Sequence, residues 1–457
     1  MGLKSRLMLL GSKLSTPETM LLGGFAFAIL IGAILLTTPW AAHPGRVNFV
    51  DALFTATSAV CVTGLIVVDT GADFTFWGQV IILVLIQLGG LGIMTFAALA
   101  FQMLGRRMSL QSQAVLQETL FQKDLGSQFH QAFRTIIVLT LVIEGLGIIF
   151  LVFFLSQSMD PAQAFFSAIF HSVSAFCNAG FSLSNDNLMG LRDNHGVLFV
   201  IMTLIILGGL GFSVLHEIWS NLRSSSIGLR AAKSRAFSLH SRVVLWVSTV
   251  LVVGGTFFLI AFGLTPDENS WSEKILGGLF QSVTSRTAGF NSVDIGKLPS
   301  ASLFILIILM FIGGSPGSCA GGVKTSSVAI YLARLVAGLR GKSDVQLGDR
   351  RLPHELVSKT DLLMALALFW NIIGVLILLT TESRLQLDSL SLIFEQVSAF
   401  GTVGLSTGLT PNLSVYGKLW LVCTMFVGRL GPLSVAFFMV PKTTVRVKYP
   451  QGTVMIG

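Results

Sequence analysis

Ser58-Ala-Val-Cys-Val-Thr-Gly-Leu65 is a short apolar run that ends in a small-residue corner at Gly64. Equivalent runs stand at Ser174-Ala-Phe-Cys-Asn-Ala-Gly-Phe181, Thr284-Ser-Arg-Thr-Ala-Gly-Phe290 and Ser398-Ala-Phe-Gly-Thr-Val-Gly-Leu405. The corner glycines lie 116, 109 and 115 residues apart, about a quarter of the 457-residue chain. A phenylalanine precedes the glycine by ten residues at Phe54, Phe170 and Phe394 and by nine at Phe280, so the third copy is one residue shorter. A second signature follows each corner: Leu88-Gly-Gly-Leu-Gly92, Leu207-Gly-Gly-Leu-Gly211, Ile312-Gly-Gly-Ser-Pro-Gly317 and Val427-Gly-Arg-Leu-Gly431. Two motifs in register four times mark an internal fourfold repeat.

Of the residues, 53% are hydrophobic and only 11% charged, against roughly 25% charged in a soluble domain. Apolar segments of about 20 residues, the length that spans a bilayer as a helix, alternate with shorter ones. This pattern reads as an all-α polytopic membrane protein. Each repeat has a long span, a short helix-like piece, the corner and a second long span. The units are Leu21–Thr38, Asp51–Val62 and Phe76–Leu104; then Phe133–Ser156, Pro161–Phe176 and His195–Trp219; then Val243–Phe262, Trp271–Ser285 and Ser302–Ala337; then Leu362–Thr381, Leu387–Phe400 and Tyr416–Val440. The corresponding division is 1–104, 105–219, 220–337 and 338–457, each with its corner and the last three with a leading linker. Residues Met1 to Met20 are polar and basic, and no small-residue cleavage motif follows the first apolar run, so no cleavable signal is expected.

Charge decides whether the short pieces cross. With eight crossings and a cytoplasmic N-terminus, the termini and inter-repeat linkers share one side and carry 22 of the 30 Lys and Arg residues. The other side holds Arg46, Arg192, Lys274, Lys297, Arg384 and Lys418, while Arg286 and Arg429 fall within the membrane. Crossing by the short pieces would place basic linkers on alternate sides and violate the positive-inside rule. Eight spans with four re-entrant loops around a pseudo-fourfold pore are therefore expected. The net charge of +8 is explained by a bilayer rather than by nucleic acid. The four cysteines lack metal-ligand spacing and read as free thiols.

Each corner follows a short helix whose C-terminal carbonyls carry partial negative charge. Four such segments around an axis make a cage of oxygen dipoles that replaces a cation's water shell. Glycine lets the backbone turn a carbonyl toward the axis, and irregular backbone at membrane depth is tolerated where it lines a wet cavity or is buried in protein. A single Gly corner is more simply a tight turn between packed helices; four in register favour a pore.

The repeats, Thr63-Gly64-Leu65, Asn178-Ala-Gly-Phe181, Arg286-Thr-Ala-Gly-Phe290, Gly401-Thr-Val-Gly404 and Gly321-Gly-Val-Lys324 resemble the Trk/Ktr/HKT superfamily of potassium transporters, and within it the bacterial KtrB branch of potassium-translocating subunits. The resemblance spans essentially the whole chain. It implies a four-part potassium filter with one glycine per repeat. That filter maps onto Val62, Thr63 and Gly64; Asn178, Ala179 and Gly180; Thr287, Ala288 and Gly289; and Thr402, Val403 and Gly404. Relatives with serine at the first position tend to carry sodium, so Gly64 points to potassium. It further implies a cell inner membrane location with both termini cytoplasmic, a homodimer of pores and a cytosolic RCK-type, KtrA-like nucleotide-binding ring. Potassium is the transported ion and sodium a candidate activating ion, with no organic cofactor in this chain.

Gly313, Gly314, Ser315, Pro316, Gly317, Ser318, Cys319, Ala320, Gly321 and Gly322 interrupt a span, and five glycines and a proline cannot hold a regular helix there. The run imitates a phosphate loop, but Val323 breaks the pattern before Lys324 and no strand precedes it, which excludes nucleotide binding. A kink suffices at Gly89-Gly90 and Gly208-Gly209; ten residues exceed what a kink needs. The resemblance implies an intramembrane gate. Arg429 replaces a signature glycine at a depth where a charge costs several kcal/mol unless partnered. It reads as a structural arginine hydrogen-bonded to carbonyls freed near Gly431-Pro432, or, with the family, as a positive barrier beside the pore that touches the gate, or as both. Arg286 is expected to point away from the filter and brace its loop. Glu144 lies mid-span with no partner identifiable from sequence, and Cys61, Cys177 and His171 read as packing. The basic linkers Gly105–His130, Asn221–Ser241 and Gly338–Lys359 suit a solvated face near anionic lipid. A sodium-permeable or sodium/potassium-coupled transporter is the alternative within the same fold. A membrane enzyme built on His171, Cys177 and Glu144 is disfavoured, because the repeats preserve glycines rather than ionisable groups.

Overall fold

The computed structural model describes residues 17–92, 129–226, 237–263, 271–385 and 388–432. The N-terminal tail, the linker 105–128, the second-span halves 93–104 and 433–440, and residues 227–236 of another linker lie outside them.

Repeat one comprises α1 (Pro17–Leu36), α2 (Phe49–Val60) and α3 (Phe76–Leu91). Repeat two comprises α4 (Phe129–Leu155), α5 (Pro161–Phe176), α6 (His195–Leu210) and α7 (Phe212–Ser226). Repeat three comprises α8 (Leu239–Ala261), α9 (Trp271–Thr284), α10 (Ser300–Phe311) and α11 (Thr325–Leu339). Repeat four comprises α12 (His354–Thr381), α13 (Ser389–Gly401) and α14 (Val415–Leu430). Among the described residues, α4, α8 and α12 contain continuous apolar stretches long enough to cross a bilayer. Their outward faces carry exposed Ile149, Phe153, Trp246, Phe257, Phe369 and Ile372, as expected where the solvent is lipid tail.

Among the described residues the second-span helices of repeats one and two end past the glycine pairs rather than at them. Helices α3, α6 and α14 end at the last glycine of the signature, with Gly92, Gly211 and Gly431 at φ of 84°, 89° and 85°. After Gly211 the chain turns through 103° into α7. Left-handed φ is open to glycine without steric cost, so this glycine ends the helix. The first glycine of the pair has a different task. A Cβ on Gly89, Gly208 or Gly428 would collide with the carbonyl of Val60, Phe176 or Phe400, four residues before each corner glycine. These glycines let the second span lie directly against the end of the short helix.

The short helices α2, α5, α9 and α13 pack against the first span of their own repeat. Each second span packs against the short helix of the next repeat: α3 on α5, α6 on α9, α10 on α13, and α14 back on α2. This cyclic order closes the ring. The Lys418–Asp51 ion pair, 2.9 Å long, joins α14 to α2 at the closing seam. Phe54, Phe170, Phe280 and Phe394 are wholly buried and wedge the short helices in place.

Part of the linker 338–359 is a hairpin, where the sequence reads only as a basic, partly helical linker. Gln346–Leu347 (β1) and Arg350–Arg351 (β2) pair antiparallel across Gly348-Asp349, with Gly348 at φ 60°. A two-residue turn opening on glycine is a hairpin signal. Helix α12 then starts at His354, two turns before the expected Leu362, supported by Glu355 in its first turn and its 2.9 Å pair with Lys359.

Candidate functional site

All four short helices end by the same local chemistry. In three repeats the helix closes with a Schellman pattern. The Thr63, Ala179 and Val403 N–H groups donate to the carbonyls of Ser58, Ser174 and Ser398 at 2.7, 2.7 and 2.9 Å. In the shortened third repeat, Ala288 N–H donates to Thr284 O at 2.9 Å, one residue closer in sequence. The missing residue is absorbed in this helix-end bond, and the corner stays in place.

The serine and threonine hydroxyls at that position clamp the backbone on the far side of the corner. Gly64 N–H donates to Ser58 Oγ at 3.0 Å and Gly404 N–H to Ser398 Oγ at 3.2 Å. Ser174, Thr284 and Ser398 hydroxyls donate to the carbonyls of Phe181, Phe290 and Leu405 at 2.9, 2.7 and 2.6 Å. These clamps open each of the four recurring runs, so their signal is present when the repeats are laid over one another.

The backbone then runs through two left-handed positions per corner. Val62, Asn178, Thr287 and Thr402 have φ of 55°, 59°, 73° and 49°; Gly64, Gly180, Gly289 and Gly404 have φ of 91°, 68°, 78° and 94°. Glycine makes the second position easy, but the first holds β-branched residues in three copies, at about 1–3 kcal/mol each. Asn178, a residue that tolerates this conformation better, is the exception. Alternating handedness turns successive carbonyls to a common side, which an extended strand does not do.

The structure brings the four corners together. A Cβ on Gly64 would stand 2.5 Å from Ala179 O, and one on Gly180 would stand 2.6 Å from Ala288 O. One on Gly289 would strike Val403 O, and one on Gly404 would strike Thr63 O. Each glycine thus abuts the carbonyl of the next repeat, and the sequence of contacts returns to its start. The Thr63, Ala179, Ala288 and Val403 carbonyls thus each lie against the corner glycine of a neighbouring repeat, just past the ends of the four short helices. The Thr63 and Thr402 hydroxyls, fully buried there, find no hydrogen-bond partner among the described residues.

The loop 312–324 lies against this ring. A Cβ on Gly321 would meet the Thr402 side chain, and one on Gly322 would stand 3.2 Å from Gly401 Cα. Backbone bonds fasten the loop to the broken span of repeat two: Ser315 N–H to Gly209 O at 3.1 Å, Cys319 N–H to Gly208 O at 3.3 Å, and Phe212 N–H to Gly317 O at 3.0 Å. Lys324 Nζ donates to Ala320 O at 2.5 Å within the loop. Arg429 bridges it to repeat one, donating from Nη1 to Cys319 O and from Nη2 to Gly89 O. Its two acceptors belong to the 312–324 loop and to the end of α3, not to the carbonyls near Gly431-Pro432 that the sequence suggested, because the loop and the first repeat pack against this side chain.

Arg286 turns outward to α8, donating from Nη2 to Ser248 Oγ at 3.1 Å, and lines a cavity of about 220 Å³ with Val252, Ile205 and Gly314. Glu144 has partners in two other elements. Gln87 Nε2 donates to its carboxyl at 3.3 Å, and Cys177 Sγ lies 4.0 Å from it. His171 turns elsewhere, to Ser167 and Ser182, so the three residues of the enzyme alternative do not form one group.

A ring of four re-entrant helices inside a multi-pass membrane protein defines the class of molecule. The chain belongs to the TrkH family of cation transport proteins, whose family model matches residues 26–446. It is therefore a transporter rather than an enzyme. It is similar to the "Ktr system potassium uptake protein B" of Bacillus subtilis, with 37% identity over 97% of both chains. It is also similar to the "Potassium/sodium uptake protein NtpJ" of Enterococcus hirae, with 36% identity over 97% of both. The crystal structure of the potassium transporter TrkH from Vibrio parahaemolyticus shares the fold at a TM-score of 0.71 and 19% identity, over 91% of this chain and 83% of that one.

Proposed function

We propose that this chain takes up potassium across the cell inner membrane through one pore, with both termini cytoplasmic. The selectivity filter is the ring of Val62-Thr63-Gly64, Asn178-Ala179-Gly180, Thr287-Ala288-Gly289 and Thr402-Val403-Gly404. The observation that carries this reading is the closed circuit of corner glycines against neighbouring carbonyls, an arrangement of dipoles suited to a desolvated monovalent cation. The membrane potential drives uptake, at about 2.3 kcal/mol per charge per 100 mV. The division 1–104, 105–219, 220–337 and 338–457 gives one quarter of the filter per unit.

The loop Gly313–Gly322 is the gate in this reading. It lies across the ring's inner face, held by Arg429, which adds a positive barrier to cations. Opening requires the Cys319 and Gly89 carbonyls to part. The Ktr naming of the relatives supports a second component, an RCK-type nucleotide-binding ring on the basic cytosolic face, and a homodimer of pores. The potassium/sodium naming of the Enterococcus relative supports sodium as an activating or co-transported ion. The test is growth of a potassium-uptake-deficient bacterium at low potassium when the full chain is expressed. Rescue by the wild type and by Cys177→Ala is expected; no rescue at confirmed membrane expression overturns the proposal.

A further inference from the structure

The short helices carry a second repeated feature, nine residues before each corner glycine and eight in the shortened copy. Thr55, His171, Gln281 and Glu395 occupy this register, and all four are buried. They differ in chemistry, which hides the register in the sequence, and two of them reach the chain just past the corner glycine.

Two of the four grip that chain. Glu395 Oε1 accepts from Ser406 Oγ at 2.6 Å, Thr407 N–H at 3.0 Å and Thr407 Oγ1 at 3.2 Å, and Oε2 accepts from Thr410 Oγ1 at 2.6 Å. Four donors converge on this carboxyl, the pattern of an acceptor-only carboxylate. His171 Nε2 lies 3.0 Å from Ser182 Oγ. Its Nδ1 lies 2.8 Å from Ser167 O, and because a carbonyl only accepts, Nδ1 carries the proton. Ser182 and Ser406 are both two residues past their corner glycine. In repeat two the polar contacts continue to the ring: Ser182 Oγ, whose one proton serves either His171 Nε2 or Asn187 O, lies 3.0 Å from Asn187 O, and Asn187 Nδ2 donates to Gly180 O at 3.3 Å.

The other two do not grip. Thr55 Oγ1 and both polar atoms of Gln281 find no hydrogen-bond partner among the described residues. In repeat one the residue two past the glycine is Ile66, which offers no hydroxyl. In repeat three Asn291 turns its amide to Val293 O. In the cyclic order of the ring, the gripped quarters two and four stand opposite one another.

We propose that Glu395 and His171 are positioning residues for potassium, which fix the outer edges of two opposed quarters of the filter. The first and third quarters have no such grip from this register of their own short helices. Glu395 also places a buried carboxyl behind the outer mouth, whose ionised form favours a cation over its absence. This rests on the reading of the corner ring as the filter. Selectivity and affinity are then set unequally around the ring, with the fourth quarter dominant because it holds both the densest bonds and the charge.

The experiment is potassium uptake, with sodium as competitor, in a potassium-uptake-deficient bacterium expressing the full chain, with KM and Vmax scaled to membrane protein. Glu395→Gln presents an amide nitrogen to a set of donors and removes the charge. It is expected to raise the KM for potassium about tenfold, the loss of one or two charge-assisted hydrogen bonds, with Vmax within about twofold. Ser406→Ala leaves the carboxylate in place and is expected to shift KM several-fold in the same direction, which keeps the test usable if Glu395→Gln does not reach the membrane. Thr55→Val and Gln281→Leu, in the same register but without grip, are expected to leave KM unchanged. Equal KM shifts from all four registers, or no shift from Ser406→Ala and Glu395→Gln, overturn the brace. Should Gly64→Ser change ion preference while the Glu395 and Ser406 variants do not, the filter reading stands and only the brace is lost.

Discussion

Replacing Gly64 by serine tests the ring directly. A Cβ at this position stands 2.5 Å from Ala179 O and 3.1 Å from Gly180 Cα. Ordinary contact begins at 3.4 Å, so the second quarter must retreat by about 0.9 Å at its carbonyl. The backbone angle adds to the cost: φ at Gly64 is 91°, and a side chain in a left-handed conformation costs about 1–2 kcal/mol. A carbonyl moved that far no longer matches its three partners around the ion. With the about 1.5–3 kcal/mol of a hydrogen bond to a charged group as the scale for one carbonyl–ion contact, losing one such ligand corresponds to a drop of about 10- to 100-fold in potassium preference. The assay is uptake of potassium with sodium as competitor, in cells whose membrane content of the variant is quantified. Unchanged potassium-over-sodium preference at wild-type protein levels would falsify the assignment of Gly64 to the filter.

Four further outcomes are expected. Arg429→Gln removes charge-assisted bonds to the Cys319 and Gly89 carbonyls, at about 1.5–3 kcal/mol each; flux at fixed potassium should rise about tenfold or more, and flat flux rejects the barrier role. Shortening Ser315–Ala320 removes the loop's anchors on Gly209 and Gly208; uptake should then proceed without the regulatory partner, and continued dependence on that partner counts against the gate. Ser398→Ala takes away the clamp on both Gly404 N–H and Leu405 O; a loss of about 1–3 kcal/mol should appear as weaker potassium affinity, and wild-type affinity would mean the clamp is redundant. Asp51→Asn leaves the Lys418 ammonium, only 14% exposed, without its partner; thermal unfolding in detergent should show a loss of about 3 kcal/mol, restored in part by Lys418→Met, and equal stability of all variants would show that the seam does not depend on this pair.

Much of this architecture is legible in the chain because repetition converts weak signals into a strong one. A Thr63-Gly64 corner is compatible with any tight turn, but four corners in register with four mid-span signatures restrict the fold to a ring. The clamps at Ser58, Ser174, Thr284 and Ser398 are equally visible, as the first residue of each run, though their task depends on where the chain goes after the helix ends. The register of Thr55, His171, Gln281 and Glu395 is not visible, because four different side chains share a position but no chemistry. The glycine pairs mislead for a related reason: a glycine that permits a bend and one that permits close approach look the same in one dimension. Gly211 bends the chain at φ 89°, whereas Gly208 lies against the Phe176 carbonyl.

By itself the sequence determined the membrane class, the four repeats, the re-entrant short helices and the identity of the corner glycines. Those follow from local composition and periodicity, which act along the chain. Only the tertiary structure decided which carbonyl each glycine meets, that Arg429 joins the 312–324 loop to Gly89, and that Glu144 pairs with Gln87 and Cys177. Each of these contacts joins residues of different repeats or distant elements. Their partners are fixed by the cyclic packing of second span on next short helix, and that order has no trace in any single repeat. The pore reading begins at Gly64, but the ring proposed as the filter belongs to four distant pieces of chain at once.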